Sequence, residues 1–504
     1  MAKRAASPNH ARRPRSAKLG AVVLAPLMLG SALTVMPPPT PVKVTSAPAP
    51  GTAWVLGYFE GSPLIPISLA SGKLGMPVQI NKGFDDDAIA ITPNGQTAYV
   101  AQNATNTIVP VDLATGVVGS LIDLAQEPTG IAITPDGRTA YVVTGGPQIG
   151  GGDVVPIDTA TDTAGAPIYA GLVPTAIAIA PDGQTAYVVN QISDSLTPID
   201  LATDKAESSI FPLTSPNNGG SELAGIAITP DGQTAYVVNG RWLSSTPNEV
   251  VPVDLATGKA GTPIQLGDPQ GTPLSIAIAP NGLSAYVTEI VLGAGHGSAV
   301  VPIDLTTGVA GAPIYLDNQR GGLDNQKGST VVVNPWAVAI APDSRTAYVS
   351  DEGVGWVTPI NITTNSAELS IRTGYKSEAL AIAPDQAPVA AFSVQVAVAG
   401  FQSTFDASTS TSSTSPIATY QWGFGDGTGL TSSAPVVHHN YSHSGRYFVT
   451  LTVTDQAGTS TARVFTGQTV SNNGGPQARA ERWVAIKGHP ILVPPTVAVL
   501  SGST

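Results

Sequence analysis

Cysteine is absent from this 504-residue sequence, and several other residue types are scarce. Without a thiol the chain can form no disulfide, and it offers neither a thiolate metal ligand nor a cysteine nucleophile. Charged residues make up only 12% of the chain, aromatic residues only 6%, and histidine occurs 6 times. Hydrophobic residues nevertheless reach 42%, with 54 glycines and 44 prolines, which is typical of a globular chain rich in turns.

Basic residues are concentrated at the N-terminus. Residues 1–18 contain six lysines and arginines and no acid, and an apolar run follows from Leu19 to Met36. This order is typical of an export signal, but the run is also near the length that spans a bilayer, so an uncleaved anchor is the alternative. We therefore predict a secreted or cell-surface protein that contacts a membrane only if this segment stays uncleaved.

The remainder of the chain is acidic. Six of the 23 basic residues lie in the first 18 positions, which leaves 17 against 35 acidic residues and a net charge of −18. Such a surface repels phosphates, so we expect no nucleic-acid partner.

One phrase recurs along the chain. Residues 131–143 read IAITPDGRTAYVV, and residues 177–189 read IAIAPDGQTAYVV. Each unit consists of four short β-rich runs separated by turn residues, and four strands at a period of about 40 to 50 residues indicate a propeller blade. The Ile-Ala-Ile element or a close variant occurs seven times, centred on Ala90, Ala132, Ala178, Ala227, Ala277, Ala339 and Ala381.

The sequence predicts an all-β chain with a seven-bladed β-propeller of four-stranded blades over residues 51–386. The first unit begins in mid-blade at Gly51, and a truncated copy at 380–385 ends the series. We expect these two segments to pair and close the ring, because closure removes an exposed blade edge. We expect the repeated tyrosine to lie in the core. Proline recurs in the third run, as at Pro110, and since it lacks an amide donor we expect a bulge there.

The phrase Pro-Asp-Gly-x-Thr-Ala-Tyr-Val-x-Asn at 181–190 and 230–239 resembles the YVTN β-propeller repeat family. The resemblance covers roughly residues 51–385 and implies the propeller fold. It leaves the function open, because such propellers serve as surface proteins, binding platforms and a few enzymes.

A second domain is predicted at 387–470, where about seven short strands suggest an Ig-like β-sandwich. The segments 420–427, 439–441 and 451–455 resemble a PKD domain, with Gly423 at the position that the family fills with aspartate. The resemblance implies an extracellular spacer or adhesion module in which Trp422 and Phe424 are core and His439 is structural. Residues 1–50 are predicted to be the export segment with a Pro-rich linker, and 471–504 a partly disordered tail.

Connection lengths separate two faces of the predicted propeller. The turns between the first and second runs have one length, and those between the third and fourth runs nearly so, whereas the other connections vary, as in 236–252, 286–302 and 315–336. In an antiparallel meander the variable connections share one face. Variable loops on a rigid scaffold are where ligands usually bind, so we predict that this face binds a protein or glycan on a cell surface or in the extracellular matrix.

Ten residues are candidates for ligand binding there, each with a solvated loop position as the plain alternative: Asp85, Asp86, Asp87, Glu127, Arg241, Trp242, His296, Trp336, Asp351 and Glu352. We expect no cofactor, with Ca²⁺ at the Asp85–Asp87 triplet as the alternative, because hard cations prefer several oxygens. Trp242 and Trp336 could stack on a sugar or pack under a loop.

An enzyme is the main alternative to a binding protein. His296 is the only histidine between residues 51 and 386, and no Ser/His/Asp set or histidine metal cluster can be assembled around it from spacing. We therefore predict a non-enzymatic binding or adhesion protein. The second hypothesis is a lactonase-like hydrolase or lyase with a carboxylate-bound metal at the channel mouth, held by Asp85–Asp87 and Glu127.

Overall fold

The structure is a computed structural model that describes residues 51–58, 63–80, 88–145, 151–210, 222–240, 248–267, 271–291, 298–316 and 333–489. The predicted export segment lies outside these ranges. The described residues form β-strands and two one-turn 3-10 helices, Asn103–Thr105 and Pro476–Ala478, and none of their helices is long and apolar enough to cross a membrane. The predicted all-β class is confirmed.

The strands of the repeat region are β1 (Thr52–Tyr58), β2 (Pro63–Ser68), β3 (Val78–Gln79), β4 (Ala88–Ile91), β5 (Thr97–Gln102), β6 (Thr107–Asp112), β7 (Val117–Val118), β8 (Ile122–Asp123), β9 (Pro128–Ile133), β10 (Thr139–Thr144), β11 (Gly151–Asp158), β12 (Thr163–Ala164), β13 (Ile168–Leu172), β14 (Pro174–Ile179), β15 (Thr185–Asn190), β16 (Ser195–Asp200), β17 (Lys205–Ala206), β18 (Glu222–Ile228), β19 (Thr234–Gly240), β20 (Glu249–Asp254), β21 (Lys259–Ala260), β22 (Ile264–Gln265), β23 (Gly271–Ile278), β24 (Ser284–Val291), β25 (Ala299–Asp304), β26 (Val309–Ala310), β27 (Ile314–Tyr315), β28 (Pro335–Ile340), β29 (Thr346–Asp351), β30 (Trp356–Asn361), β31 (Ser366–Ala367), β32 (Ile371–Arg372) and β33 (Lys376–Ile382). The C-terminal strands are β34 (Asp385–Gln386), β35 (Ser393–Gln395), β36 (Gln402–Asp406), β37 (Ile417–Gly423), β38 (Gly429–Ser432), β39 (Val436–Asn440), β40 (Gly445–Asp455), β41 (Val464–Phe465), β42 (Val470–Asn473) and β43 (Arg479–Ile486).

Each repeat folds through a tight turn between its first two strands. Between β9 and β10 the Gly137 N–H donates to the Thr134 carbonyl at 2.8 Å, and the Asp136 carboxylate accepts the Thr134 hydroxyl at 2.6 Å. Gly137 has φ of +77°, a backbone conformation that glycine adopts at little cost. The Pro-Asp-Gly sequence therefore determines both where the first strand ends and where the second begins.

In the described part of the chain, β1–β33 pair into seven antiparallel sheets of four or five strands. We call the strand that carries the Ile-Ala-Ile element the inner strand of its sheet; the inner strands are β4, β9, β14, β18, β23, β28 and β33. Each packs against the inner strand of the next sheet, and β33 packs against both β28 and β4. The first segment joins the last inner strand, since β1 pairs antiparallel with β33 and places Ala53 opposite Ile382.

Neighbouring sheets interlock a small face with a bulky one. Ala90 and Tyr99 of one sheet pack in the same buried cluster as Ile131 and Ile133 of the next. The repeated alanine leaves room for the isoleucines of the following sheet, and the repeated tyrosine is buried, with Tyr99 only 1% exposed. The prediction that this tyrosine belongs to the core is confirmed.

The predicted bulge at the third-strand proline occurs only on the outer side of β6, where residues 109–110 lie opposite three residues, 119–121, of the outer strand. β6 pairs with β5 in unbroken register across Pro110. The proline instead faces outward, where its carbonyl accepts the Gly119 N–H at 2.8 Å and the outer strand is divided into β7 and β8. Proline has no amide N–H to donate, and here that missing donor lies opposite the gap between β7 and β8. The pairing of β6 with β5 therefore loses no hydrogen bond, which is how proline is tolerated beside a sheet edge.

The C-terminal strands form a sandwich from β35-β36-β39 and β38-β37-β40-β43, with β34-β42-β41 beside them. Phe405, Trp422, Phe424 and Tyr441 fill its core, as predicted for Trp422 and Phe424. The sandwich extends past the predicted boundary at 470, because β43 pairs along β40 from Arg479 to Ile486. This edge strand is mostly exposed and buries only Val484 and Ile486, so its sequence carries little apolar signal.

Candidate ligand cavity

A cavity of about 390 Å³ lies between the inner strands, at their N-terminal ends. All seven inner strands contribute to its wall, and Gln191 from the connection between β15 and β16 contributes as well. These strand ends are reached by the blade-to-blade connections, so the cavity lies on the face with variable connections, which we call the loop face. The opposite side, with the Pro-Asp-Gly turns, is the turn face. The volume is within the range of about 300–1,000 Å³ typical of small-ligand sites.

One position of the inner strand varies from repeat to repeat and lines this cavity. It lies two residues before the first bulky residue of the Ile-Ala-Ile element. Its occupants among the described residues are Thr129, Thr175, Ala224, Leu274, Trp336 and Glu378. We call these six residues the variable ring. The equivalent position in the remaining repeat is Asp87, which lies outside the described residues.

The position after each ring residue is always small, as at Gly130, Ala176, Gly225 and Ser275. The close approach of neighbouring inner strands explains this. A Cβ added at Gly225 would lie 2.9 Å from the Leu274 carbonyl oxygen, whereas one at Gly130 would meet its nearest atoms at 3.5 Å. A constant small residue therefore sets the spacing of the strands, while the ring residue beside it is free to differ.

Hydroxyl groups of the ring connect neighbouring strands. The Thr129 Oγ1 donates to the Pro174 carbonyl at 3.2 Å, and the Thr175 Oγ1 donates to the Leu223 carbonyl at 3.0 Å. Each hydroxyl oxygen retains acceptor capacity towards the cavity. The described lining residues include one carboxylate, Glu378, and no lysine or arginine. The wall therefore disfavours anions and accepts neutral polar ligands or cations.

The floor of the cavity comes from the C-terminal domain. The segment 466–471, which leads from β41 into the first two residues of β42, enters the space between the inner strands from the turn face. The Ile133, Ile179 and Ile228 amides donate to the carbonyls of Gln468, Gly467 and Thr466 at 3.0, 2.6 and 3.2 Å, respectively. A smaller cavity of about 80 Å³, lined by Thr466 and Gln468 among others, remains beside the segment.

Apolar and polar contacts hold this segment in place. Phe465, directly before the segment, and Val470, within it, are each 1% exposed and belong to the same buried cluster as inner-strand isoleucines of β14. At the turn face, Gln386 Nε2 donates to the Pro93 carbonyl at 3.0 Å, and Arg463 donates to the Pro135 carbonyl. The C-terminal domain therefore covers turns of the repeat region and leaves the loop face to other partners.

Of the four predicted site residues that the structure describes, Trp336 is the one that lines the cavity, as a half-buried member of the variable ring. Glu127 precedes β9 and is half-buried, and its carbonyl accepts the Gly145 N–H at 2.9 Å. Six others lie outside the described residues: Asp85, Asp86, Asp87, Arg241, Trp242 and His296. The cavity lining thus includes neither Glu127 nor the remaining pair, Asp351 and Glu352.

Asp351 and Glu352 organise the connection that follows β29. The Asp351 carboxylate accepts the backbone N–H groups of Asn334 and Gly353 at 3.0 and 2.8 Å. Burial raises the pKa of Asp351 to about 6, while these backbone N–H groups oppose the rise. Glu352 accepts the Asn334 side-chain amide at 3.1 Å and forms an ion pair of 3.8 Å with Lys376. These contacts give both acids a role in shaping the loop.

Sequence reasoning missed most of the cavity wall, including Thr129, Thr175, Gln191, Glu378 and Gln468. The signal for the ring was present, because aligning the repeats on Ile-Ala-Ile shows one position that varies beside one that is always small. Gln468 carries no such signal, since its place in the cavity depends on how a second domain docks.

Metal ligands were assessed in the same described residues, and they contain no group of three or more His, Asp or Glu side chains placed to hold a metal ion. His439, which the sequence suggests is structural, stacks on Phe424 at 4.0 Å and lies 2.7 Å from the Asp426 carboxylate. His438 instead bonds Thr404 at 3.1 Å.

Comparison with known proteins identifies the C-terminal domain. Residues 385–470 match the family model described as PKD domain. The chain is a β-propeller repeat protein with a C-terminal PKD domain. PKD domains are typically extracellular. No curated protein matches the chain.

Solved structures resemble the propeller in fold. A periplasmic gluconolactonase of Pseudomonas aeruginosa is 15% identical with a TM-score of 0.50, over 66% of this chain and 99% of that one. A protein of unknown function from Desulfotomaculum acetoxidans is 14% identical with a TM-score of 0.50, over 66% and 98%. Hydrazine synthase of Kuenenia stuttgartiensis is 23% identical with a TM-score of 0.46, over 57% and 80%. At these identities the likeness concerns the fold alone.

Proposed function

We propose that this chain is an exported, cell-surface binding protein whose propeller takes a glycan or protein partner at its loop face. The scaffold is a seven-bladed ring closed by the pairing of β1 with β33, and the cyclic packing of the inner strands supports this interpretation. The PKD domain serves adhesion or display on the opposite side.

The observation that carries the proposal is the cavity with the variable ring around it. Trp336, with its large aromatic side chain, lines the same space as Thr129, Thr175 and Glu378. A flat apolar surface beside a few fixed polar groups is the composition of sites that bind small polar ligands. The differing ring side chains, set on a repeated scaffold, favour recognition of one specific partner.

Binding of the purified full chain to a glycan array, with a pull-down from extracellular material alongside, tests this function. Replacing Trp336 with alanine is expected to lower affinity for the captured partner at least about tenfold, because it removes the largest side chain of the ring. Trp483→Ala is the matched control, since Trp483 is 57% exposed on the PKD domain. If Trp483→Ala loses binding while Trp336→Ala binds as the wild type does, the site lies on the PKD domain and the proposal is refuted.

A lactonase-like hydrolase or lyase with a carboxylate-bound metal is the second candidate. The carboxylate of Glu378 in the cavity wall favours it, because a carboxylate can hold a hard cation. Metal analysis and lactone hydrolysis by the full chain distinguish the two functions. Stoichiometric metal and turnover that are both lost in Glu378→Gln, Asp86→Asn or Glu127→Gln would establish the enzyme.

A further inference from the structure

The PKD domain makes direct backbone contacts inside the propeller. A domain that served only as a spacer would not need such contacts. Its segment 466–471 supplies three carbonyls to inner-strand amides of β9, β14 and β18. Inner-strand amides that point into a propeller channel have no partner in their own sheet, so these carbonyls satisfy donors that would otherwise need water. The segment thus replaces solvent along one side of the channel.

Gly467 allows this close approach. Its φ is +117°, and a Cβ at this position would lie 2.9 Å from the Ala178 Cβ. The chain therefore uses glycine both for an unusual backbone conformation and for direct contact with β14.

Gln468 lies at the boundary between the two cavities and lines both of them. The Ile133 amide donates to the Gln468 carbonyl, and the residue remains exposed and lines the larger cavity. Within the described residues its amide group makes no hydrogen bond, so one acceptor and two donors remain available on the floor.

Among the described residues, the segment bonds three of the seven inner strands and leaves a cavity of about 80 Å³ beside the others. From these observations we propose that the PKD segment 466–471 narrows the propeller channel to a blind pocket, and that Gln468 on its floor binds the terminal unit of a neutral glycan. This inference rests on the ligand-binding function proposed above. A closed end excludes a chain that threads the channel, so only a chain end fits. An amide floor, hydroxyls on the wall and the indole of Trp336 match the hydroxyl groups and apolar face of a sugar. The described wall contains the Glu378 carboxylate and no lysine or arginine, which argues against an anionic terminus.

The closure is tested without any ligand by hydrogen–deuterium exchange at single-residue resolution on the full chain. The Ile133, Ile179 and Ile228 amides are expected to be protected, and Gly467→Ala is expected to increase their exchange at least about tenfold because the added methyl displaces the segment. Gly400→Ala is the matched control, since Gly400 has φ of +86° with nothing within 4 Å of an added Cβ. Equal exchange in both variants, with these amides as fast as in unfolded chain, would overturn the closed pocket.

The role of Gln468 is tested on an array of neutral glycans that presents each sugar both as a chain end and in the chain interior. The full chain is expected to bind chain ends only, and Gln468→Ala is expected to weaken binding about tenfold, the loss of one to two hydrogen bonds. Gln421→Ala, at an exposed position of β37, should leave affinity unchanged. If binding is unchanged in Gln468→Ala but lost in Trp336→Ala, the role of Gln468 in ligand binding is refuted and the proposed function still stands.

If the chain captures sugars in the chain interior, the blind pocket is refuted. If it binds no glycan at all, the proposed ligand class is refuted, and the exchange measurement still decides whether the channel is closed.

Discussion

At the scale of single residues, the repeated tyrosine shows how one position does different things in different repeats. The Tyr99 hydroxyl donates to the Asp162 carboxylate of the next sheet at 2.7 Å, and the Tyr286 hydroxyl donates to Asn365 at 2.6 Å. Asp162 and Asn365 have φ of +53° and +48° at a turn position where other repeats have glycine. These residues tolerate that conformation and add a bond between sheets that glycine cannot supply.

Removing the Tyr99 hydroxyl should therefore cost stability, whereas removing that of Tyr236 should not. Tyr99→Phe is expected to lower the free energy of unfolding by about 1.5–3 kcal/mol, the usual contribution of a hydrogen bond to a charged group. Tyr236 is equally part of the core, at 8% exposure, but makes no side-chain hydrogen bond in the described residues. Urea unfolding of both variants checks this, and an equal effect in the two would contradict it.

At the scale of elements, the inner strand combines a constant scaffold with a variable site. Its Ile-Ala-Ile element fills the space between sheets, its small residue sets the distance to the next strand, and its ring residue faces the cavity. The periodicity of the sequence predicts the strand and its packing, because each repeat buries the same face. The aligned repeats show that the ring position varies, but they do not show that residues such as Thr129 and Glu378 surround a cavity, because that depends on how the strands lie side by side.

Steric limits along the inner strand differ between two glycines that are equivalent in sequence. Gly225→Ala is expected to lower the free energy of unfolding by about 1–3 kcal/mol, because its Cβ would lie 2.9 Å from the Leu274 carbonyl oxygen. Gly130→Ala should be neutral or slightly stabilising, since its nearest contacts are at 3.5 Å and alanine reduces the entropy of the unfolded chain. Thermal unfolding of the two single variants measures the difference, and identical midpoints would show that the strands can separate freely.

At the scale of the whole molecule, a buried pair of acids lies where the propeller passes into the PKD domain. Asp385 in β34 and Asp455 at the end of β40 are both 2% exposed. The Oδ2 atom of each is buried and accepts no hydrogen bond from any N–H or O–H group of the described residues. Burial and the neighbouring Asp385 carboxylate raise the pKa of Asp455 far above its usual range. A proton retained on Asp455 lets it donate to Asp385, which satisfies both oxygens.

Stability of the molecule should fall as this proton is lost. An acid whose pKa is raised on folding makes its full contribution to the free energy of unfolding below about pH 4, where it is protonated in both the folded and the unfolded state. This contribution disappears as pH rises through the raised pKa of the folded state. Asp455→Asn is expected to remove this pH dependence and to raise stability at alkaline pH by about 1–2 kcal/mol, since the amide donates permanently. Calorimetry from pH 7 to 9, where Asp351 with its pKa of about 6 is mostly ionised, checks this, with Asp385→Asn as the reciprocal variant. A wild-type slope that persists in both variants would contradict the shared proton.

What the sequence by itself determined is local and repeated: the strands, the Pro-Asp-Gly turns, the core alanines and tyrosines, and the PKD signature with its buried Trp422. These features follow from hydrophobic periodicity and turn chemistry within about a dozen residues, and in the propeller the Ile-Ala-Ile element repeats that information seven times. The tertiary structure alone decided that Pro110 faces a gap in the edge strand, that the variable ring surrounds a cavity, and that Gln468 forms its floor. Each of these brings together residues far apart in the chain, and the packing of one sheet or domain against another places them, which no local pattern encodes.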